Sequence, residues 1–197
     1  MEDHKDHKRV YLTVIWVNLV VFILEFIIAL YSGSLVMLSD SFHVFIHVVS
    51  SLVAYISETN FLSLASEKLK KYSALINVIL FFVSAGIILK EAIERLGHPP
   101  DLEIGWLFFV IAFLGLFANT YGAKLTDRIT GHECSLNADT LHACMKYDAI
   151  SSVIVILGSA VILLTSIYII DPILSFGLVI LMTWRGWQLL SKVLKLP

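Results

Sequence analysis

Long apolar segments alternate with short polar segments along the chain. A helix needs about 20 mostly apolar residues to cross about 30 Å of hydrocarbon, and each apolar segment is near that length. Two of the segments are interrupted by single acids, Glu25 and Asp40. The pattern predicts an all-α membrane protein with six transmembrane helices, at about 10–31, 35–57, 72–94, 104–124, 141–167 and 172–192.

The segments between the predicted helices carry turn and stop signals. The stretches "YSGS" (31–34) and "IDP" (170–172) predict tight turns, and "LGHPPDLE" (96–103) predicts a longer loop in which two prolines stop a helix. The first apolar run continues past Glu25 and is too long for the core of a secretory signal peptide. We therefore interpret it as a membrane helix.

Lysine and arginine concentrate in the loops on one side of the predicted helices. Because such residues favour the cytoplasmic side, both termini are expected in the cytoplasm. The opposite side has little beyond Arg95. We expect a cytoplasmic tail at 1–9, a transporter domain at 10–192, a short cytoplasmic end at 193–197 with no C-terminal domain, and a location in the bacterial inner membrane. The basic residues are Lys5, Lys8, Arg9, Lys68, Lys70, Lys71, Lys124, Arg128, Lys192 and Lys195.

Composition supports the membrane class. Hydrophobic residues make up 58% of the 197 residues and charged residues 15%, whereas soluble domains have about 45–50% and about 25%. The net charge of −2 gives no electrostatic support for a nucleic-acid partner. Two cysteines are too few for a disulfide scaffold.

Ionisable residues within the second predicted helix predict a metal site. His43 and His47 are one turn apart, and Asp40 shares their face. Two imidazoles at this spacing can reach one metal ion. The alternative is that each histidine is satisfied by a backbone carbonyl of a neighbouring helix.

The fifth predicted helix offers a second pair, Cys144 and Asp148, also one turn apart. If the second and fifth helices pack together, these residues and the two histidines can enclose one ion. One thiolate and one carboxylate carry two negative charges, which balance a divalent cation where the dielectric is low. Such ligands suit Zn²⁺ and also Cd²⁺, whereas Mg²⁺ and Ca²⁺ prefer oxygen alone.

Several motifs together resemble the cation diffusion facilitator family of divalent-metal/proton antiporters, of which the zinc transporters are typical members. They are "NLVVFILEFIIALYSGSLVMLSDSFHVFIH", "GLFANTYGAKL", "SLNADTLHACMKYDAISS" and "DPILSFGLVILMTWRGWQLL". The resemblance implies a metal site at His43, His47, Cys144 and Asp148. The family usually has Asp at position 47, His or Asp at position 144, and a cytoplasmic C-terminal domain for metal binding and dimerisation.

The resemblance implies proton-coupled efflux of Zn²⁺, with Cd²⁺ as a further substrate, by alternating access in a homodimer embedded in the lipid bilayer. Two alternatives stay open: an uncoupled metal channel or facilitator, and a metal-binding membrane sensor that does not transport. An enzyme is disfavoured because four protein ligands leave zinc no open position for a substrate.

Other polar residues are candidates for supporting roles. Asp40, Glu25, Asn18 and Asn119 are predicted to support the metal ligands or to carry protons, with interhelical packing as the alternative. "GHECSL" is a candidate accessory metal site, with His132, Glu133 and Cys134 as its potential ligands. His4 and His7 are expected in a solvated N-terminal tail.

Overall fold

Six α-helices make up nearly all of the described chain in the computed structural model, which describes residues 2–59, 66–130 and 136–194. Side chains are described there except at 2–8, 54, 57–59, 66–71, 73–74, 128–130 and 136–147. Each helix contains a segment long and apolar enough to cross a membrane, so the predicted fold class is confirmed. The helices are α1 (Glu2–Ser32), α2 (Leu35–Thr59), α3 (Ser66–Gly97), α4 (Trp106–Thr130), α5 (Leu136–Thr165) and α6 (Ile170–Val193).

Several helices extend beyond the apolar runs that predicted them. Helix α1 begins at Glu2 rather than near 10, α3 at Ser66 rather than near 72, and α5 at Leu136 rather than near 141. Hydropathy marks only the part of a helix that lies in hydrocarbon. These polar extensions contain neither glycine nor proline, so the backbone can remain helical beyond the lipid.

The tight turn predicted at 170–172 is wrong, because the connection between α5 and α6 comes earlier. Helix α5 ends at Thr165, and Ser166 turns the chain with a φ of 56°. Helix α6 then begins at Ile170, which places Pro172 in its first turn. Proline is tolerated there because the first N–H groups of a helix have no partner within the helix.

Helix α2 occupies the centre of the bundle. It packs against α1, α3, α5 and α6, while α4 packs against α1 and α5. One apolar cluster, which includes Phe108 and Ile162, lies among α1, α2, α4, α5 and α6. A second cluster, which includes Phe81 and Met182, joins α2, α3 and α6. Residues on α2 are therefore enclosed by helices that lie both before and after it in the sequence.

The outward faces of the bundle are apolar, and many polar side chains point inward. Trp16, Leu30, Phe117 and Trp184 are exposed on the outside, where lipid replaces water as the solvent. The buried polar residues include Asn18, Glu25, Asp40, His43, His47, Asn119, Asp148, Ser152 and Arg185. This distribution belongs to a multi-pass integral membrane protein.

The first turn of α2 is held by a carboxylate from α6. Asp171 accepts hydrogen bonds from the Ser34 hydroxyl at 2.7 Å and from the backbone N–H groups of Leu35 at 2.8 Å and Val36 at 3.2 Å. The first N–H groups of a helix need such partners. Asp171 therefore fixes the position of the helix that carries His43 and His47.

The same corner also ties down α3. Arg95 donates a hydrogen bond to the carbonyl of Gly33 and lies 3.9 Å from the Asp171 carboxylate. Gly33 has a φ of 72°, a conformation that glycine adopts without steric cost. The predicted turn at "YSGS" is thus confirmed, and it is anchored to both α3 and α6.

Candidate metal site

Two histidines of α2 face the interior at the same level of the bundle. His43 and His47 are both buried, and their ring centroids are 5.2 Å apart. His43 lies near the middle of the apolar span Leu35–Val53. The one-turn spacing along the helix brings the rings together, as the sequence pattern predicts.

A carboxylate of α5 joins the two imidazoles. The Nε2 atom of His43 lies 2.6 Å from Oδ1 of Asp148, and the Nε2 atom of His47 is hydrogen bonded to Oδ2. Asp148 is fully buried. The alternative in which each histidine is satisfied by a backbone carbonyl is wrong for these Nε2 atoms.

These three residues form what we call the ligand cluster. One potential ligand atom from each of His43, His47 and Asp148 lies within 4.8 Å of the other two. Imidazole nitrogen and carboxylate oxygen are common zinc ligands. The cluster therefore has the chemistry and the convergence of a metal site, and it lies where α2 packs against α5.

The side chains of the other predicted metal ligands lie outside the described part of the structure. Cys144 lies in α5 one turn before Asp148, but its side chain is outside the described part of the structure. His132, Glu133 and Cys134 lie outside the described residues altogether. Their assignment remains a prediction.

Arg185 of α6 enters the ligand cluster, and sequence reasoning missed it. Its Nη1 atom lies 2.6 Å from Nε2 of His43, and it also donates a hydrogen bond to Oδ1 of Asp148. Only 8% of Arg185 is exposed. The signal was present, since an arginine that interrupts an apolar run is costly in a membrane and is by default a functional candidate.

Asp40 belongs to a polar chain that leads away from the histidines. The Ser152 hydroxyl donates a hydrogen bond to Oδ2 of Asp40 at 3.4 Å, and the Asn119 amide donates to the same hydroxyl at 3.2 Å. Oδ1 of Asp40 has no hydrogen-bond partner among the described residues. This chain runs through α2, α5 and α4, and its part in proton movement stays a prediction.

Glu25 is fully buried on α1, and neither of its carboxylate oxygens has a hydrogen-bond partner among the described residues. It lies against Gly115 of α4, where an added Cβ would be 2.0 Å from Oε1. Asn18 is also buried, and its amide donates to the carbonyl of Val14 on its own helix at 2.9 Å. Neither residue has a hydrogen bond to the ligand cluster among the contacts described.

Comparison with known proteins identifies the family. The family model described as the cation efflux transmembrane domain matches residues 11–196. The chain belongs to the cation efflux family. The predicted membership in the cation diffusion facilitator family is thereby confirmed.

Three relatives in the cation efflux family illustrate the extent of the similarity. The zinc transporter ZitB of Escherichia coli (strain K12) is 29% identical over 167 residues, which are 81% of this chain and 53% of ZitB. The metal cation efflux system protein CzcD of Cupriavidus metallidurans is 32% identical over 122 residues, 62% of this chain and 38% of CzcD. The proton-coupled zinc antiporter SLC30A1 of Macaca fascicularis is 29% identical over 117 residues, 55% of this chain and 23% of SLC30A1. The chain thus spans about half or less of these relatives' length.

Proposed function

We propose that this protein exports zinc across a membrane and binds it with His43, His47 and Asp148, with Cys144 as the fourth ligand. The observation that carries the proposal is the ligand cluster, in which a carboxylate of α5 meets two imidazoles of α2 in a buried position. Membership in the cation efflux family and the zinc-transporter names of relatives support the same substrate. Cd²⁺ is a second substrate that a thiolate ligand favours.

The dimensions of the cluster suit a tetrahedral zinc ion. Zinc lies about 2.0–2.1 Å from nitrogen and oxygen ligands, so neighbouring ligand atoms are about 3.3 Å apart. The potential ligand atoms of the cluster lie within 4.8 Å of one another. Nε2 of His43 and Oδ1 of Asp148 are in direct contact at 2.6 Å, so these two atoms must move slightly apart when the ion binds between them.

Proton coupling follows from competition for the same atoms. Zinc binds a neutral imidazole and a deprotonated carboxylate or thiolate, so metal binding releases protons and protons release metal. Imidazole exchanges protons near neutral pH. A more acidic outer side therefore favours metal release, and return of the protons drives the next export step.

Alternating access exposes the metal site to each side of the membrane in turn. Rocking of one group of helices against another opens a central site first to one side and then to the other. The ligand cluster lies between α2 and α5. Helix α2 packs most extensively against α1, whereas α5 packs most extensively against α4. We extend the proposal to a homodimer with cytoplasmic termini in a bacterial inner membrane, supported by the family resemblance and by the bacterial relatives.

Zinc flux into proteoliposomes tests the proposal. We expect flux in the wild-type protein that requires an opposing proton gradient, and loss of flux in His47→Ala, which leaves the contacts between Asp148 and Arg185 intact. The matched control is His98→Ala, which removes an exposed histidine of the loop between α3 and α4. Flux that ignores the gradient would instead indicate a channel, zinc binding without flux a sensor, and full flux in His47→Ala a different site.

A further inference from the structure

A permanent cation of the protein lies among the proposed metal ligands. We propose that Arg185 is an internal counter-cation that occupies the ligand atoms when no metal is bound, and that zinc displaces it toward Asp40. This inference rests on the proposed function of the ligand cluster. It adds a competitor that belongs to the chain itself, so metal loading requires movement of a side chain of α6.

The competition can be followed atom by atom. Nε2 of His43 contacts both Arg185 and Oδ1 of Asp148. In one tautomer Nε2 accepts a hydrogen bond from the guanidinium, and in the other it donates its proton to the carboxylate. In neither tautomer is its lone pair free for a metal. Arg185 also engages Oδ1 of Asp148, so two of the three potential ligands interact with the guanidinium directly.

The charge of Arg185 cannot be removed by proton loss. A guanidinium stays charged under all ordinary conditions, and repulsion between cations is strong where water is excluded. Protons on the histidines can leave when zinc arrives, but Arg185 can reduce the repulsion only by moving. Its side chain must therefore leave Asp148 and His43 before zinc binds there tightly.

Asp40 offers the displaced guanidinium a place to go. A small cavity beside the cluster is lined by Asp40, His43, Met182 and Arg185, among others. Asp40 is buried, and its Oδ1 atom has no hydrogen-bond partner among the described residues. A carboxylate oxygen in such a position is a suitable acceptor for the guanidinium of an arginine. With Arg185 on Asp40, both the zinc site and this new pair are electrically neutral.

An internal competitor is useful to a transporter because a site that binds too tightly cannot release its ion. The apparent affinity for zinc is reduced by the fraction of time that Arg185 leaves the ligands accessible. If that fraction is about one tenth, removal of the guanidinium tightens zinc binding about tenfold. Return of Arg185 to Asp148 and His43 would then help to expel the ion.

Equilibrium binding of Zn²⁺ to the purified protein in detergent, by competition with a chelating dye, tests the inference. We expect Arg185→Met to bind Zn²⁺ about tenfold more tightly than the wild type, and Arg185→Lys, which retains the charge, to bind less tightly than Arg185→Met. Lys192→Met removes an exposed positive charge from the same helix and should leave the affinity unchanged. Equal or weaker binding by Arg185→Met would overturn the proposal.

A double-mutant cycle tests the destination of the side chain. Asp40→Asn nearly retains the shape of Asp40 and should weaken Zn²⁺ binding several-fold in the wild-type background but not in Arg185→Met. An equal effect in both backgrounds would overturn the role of Asp40. His47→Ala removes one of the three ligands of the cluster and should weaken Zn²⁺ binding strongly in both backgrounds. If it does not, the proposed metal site itself has failed, which separates that failure from a failure of the Arg185 inference.

Discussion

At the scale of single residues, Asp148 is the residue that joins the site, because its carboxylate contacts both imidazoles and a guanidinium. Its carboxylate contacts the imidazoles of His43 and His47 and the guanidinium of Arg185. All four groups are buried. A carboxylate that balances a buried cation is expensive to remove, since the remaining buried charge loses a close partner.

Replacement of Asp148 should therefore affect folding as well as metal binding. We expect Asp148→Asn to lower the free energy of unfolding, but by less than the cost of an unpaired buried ion, which is about 3–5 kcal/mol, because the Arg185 guanidinium loses this carboxylate and can still move to Asp40. The double variant Asp148→Asn, Arg185→Met should recover much of that loss, because the buried charge is then also gone. Thermal unfolding in detergent measures the stability of both variants. A double variant no more stable than Asp148→Asn alone would contradict the pairing.

Sequence spacing predicted part of this site and missed the rest for a physical reason. His43 and His47 share a helix, so helical geometry alone puts them together. The pairing with Asp148 required only that the second and fifth helices pack. Arg185 lies 37 residues beyond Asp148. Its charge within an apolar run indicates that it faces the interior, but the local pattern does not tell which residues it meets there.

At the scale of elements, α2 is positioned by its first turn as well as by its apolar contacts. Asp171 of α6 and Arg95 of α3 meet at the turn that begins α2. Hydropathy located the six helices but not their ends, because polar extensions outside the hydrocarbon carry no hydropathy signal. The capping contact joins residues 136 positions apart, so local sequence signals could not predict it.

Loss of this cap should loosen the start of α2. We expect Asp171→Ala to lower the free energy of unfolding by about 2–3 kcal/mol, because it leaves two backbone N–H groups and the Ser34 hydroxyl without their acceptor. Ser34→Ala removes one of these contacts and should cost about 1 kcal/mol. Hydrogen exchange at Leu35 and Val36 should accelerate in Asp171→Ala. Unchanged exchange at both amides would show that the cap does not hold this turn.

At the scale of the whole molecule, the proposed cycle links metal, protons and helix movement. The ligand cluster lies where α2 meets α5, and Arg185 adds α6 to the same centre. A shift of any of these three helices would therefore change the distances among the side chains of the cluster. The outward faces of the helices are apolar, whereas the polar residues of the site are buried inside the bundle.

The proton linkage predicts a definite dependence on pH. Zinc binding requires deprotonated ligands, so the apparent zinc affinity should fall as pH falls. We expect a lower affinity at pH 5.5 than at pH 7.5, because protons compete with zinc for the same ligand atoms. Calorimetry in buffers of different ionisation enthalpy measures the protons released per zinc ion. Binding without proton release would contradict a proton-coupled exchange.

The most direct test of the metal site is zinc X-ray absorption spectroscopy on the protein loaded with one equivalent of Zn²⁺. We expect two imidazole ligands in the wild type and one in His47→Ala. We also expect one sulfur at about 2.3 Å that disappears in Cys144→Ser. A spectrum unchanged by His47→Ala would show that zinc binds elsewhere and would contradict the assignment of the ligand cluster as the zinc site.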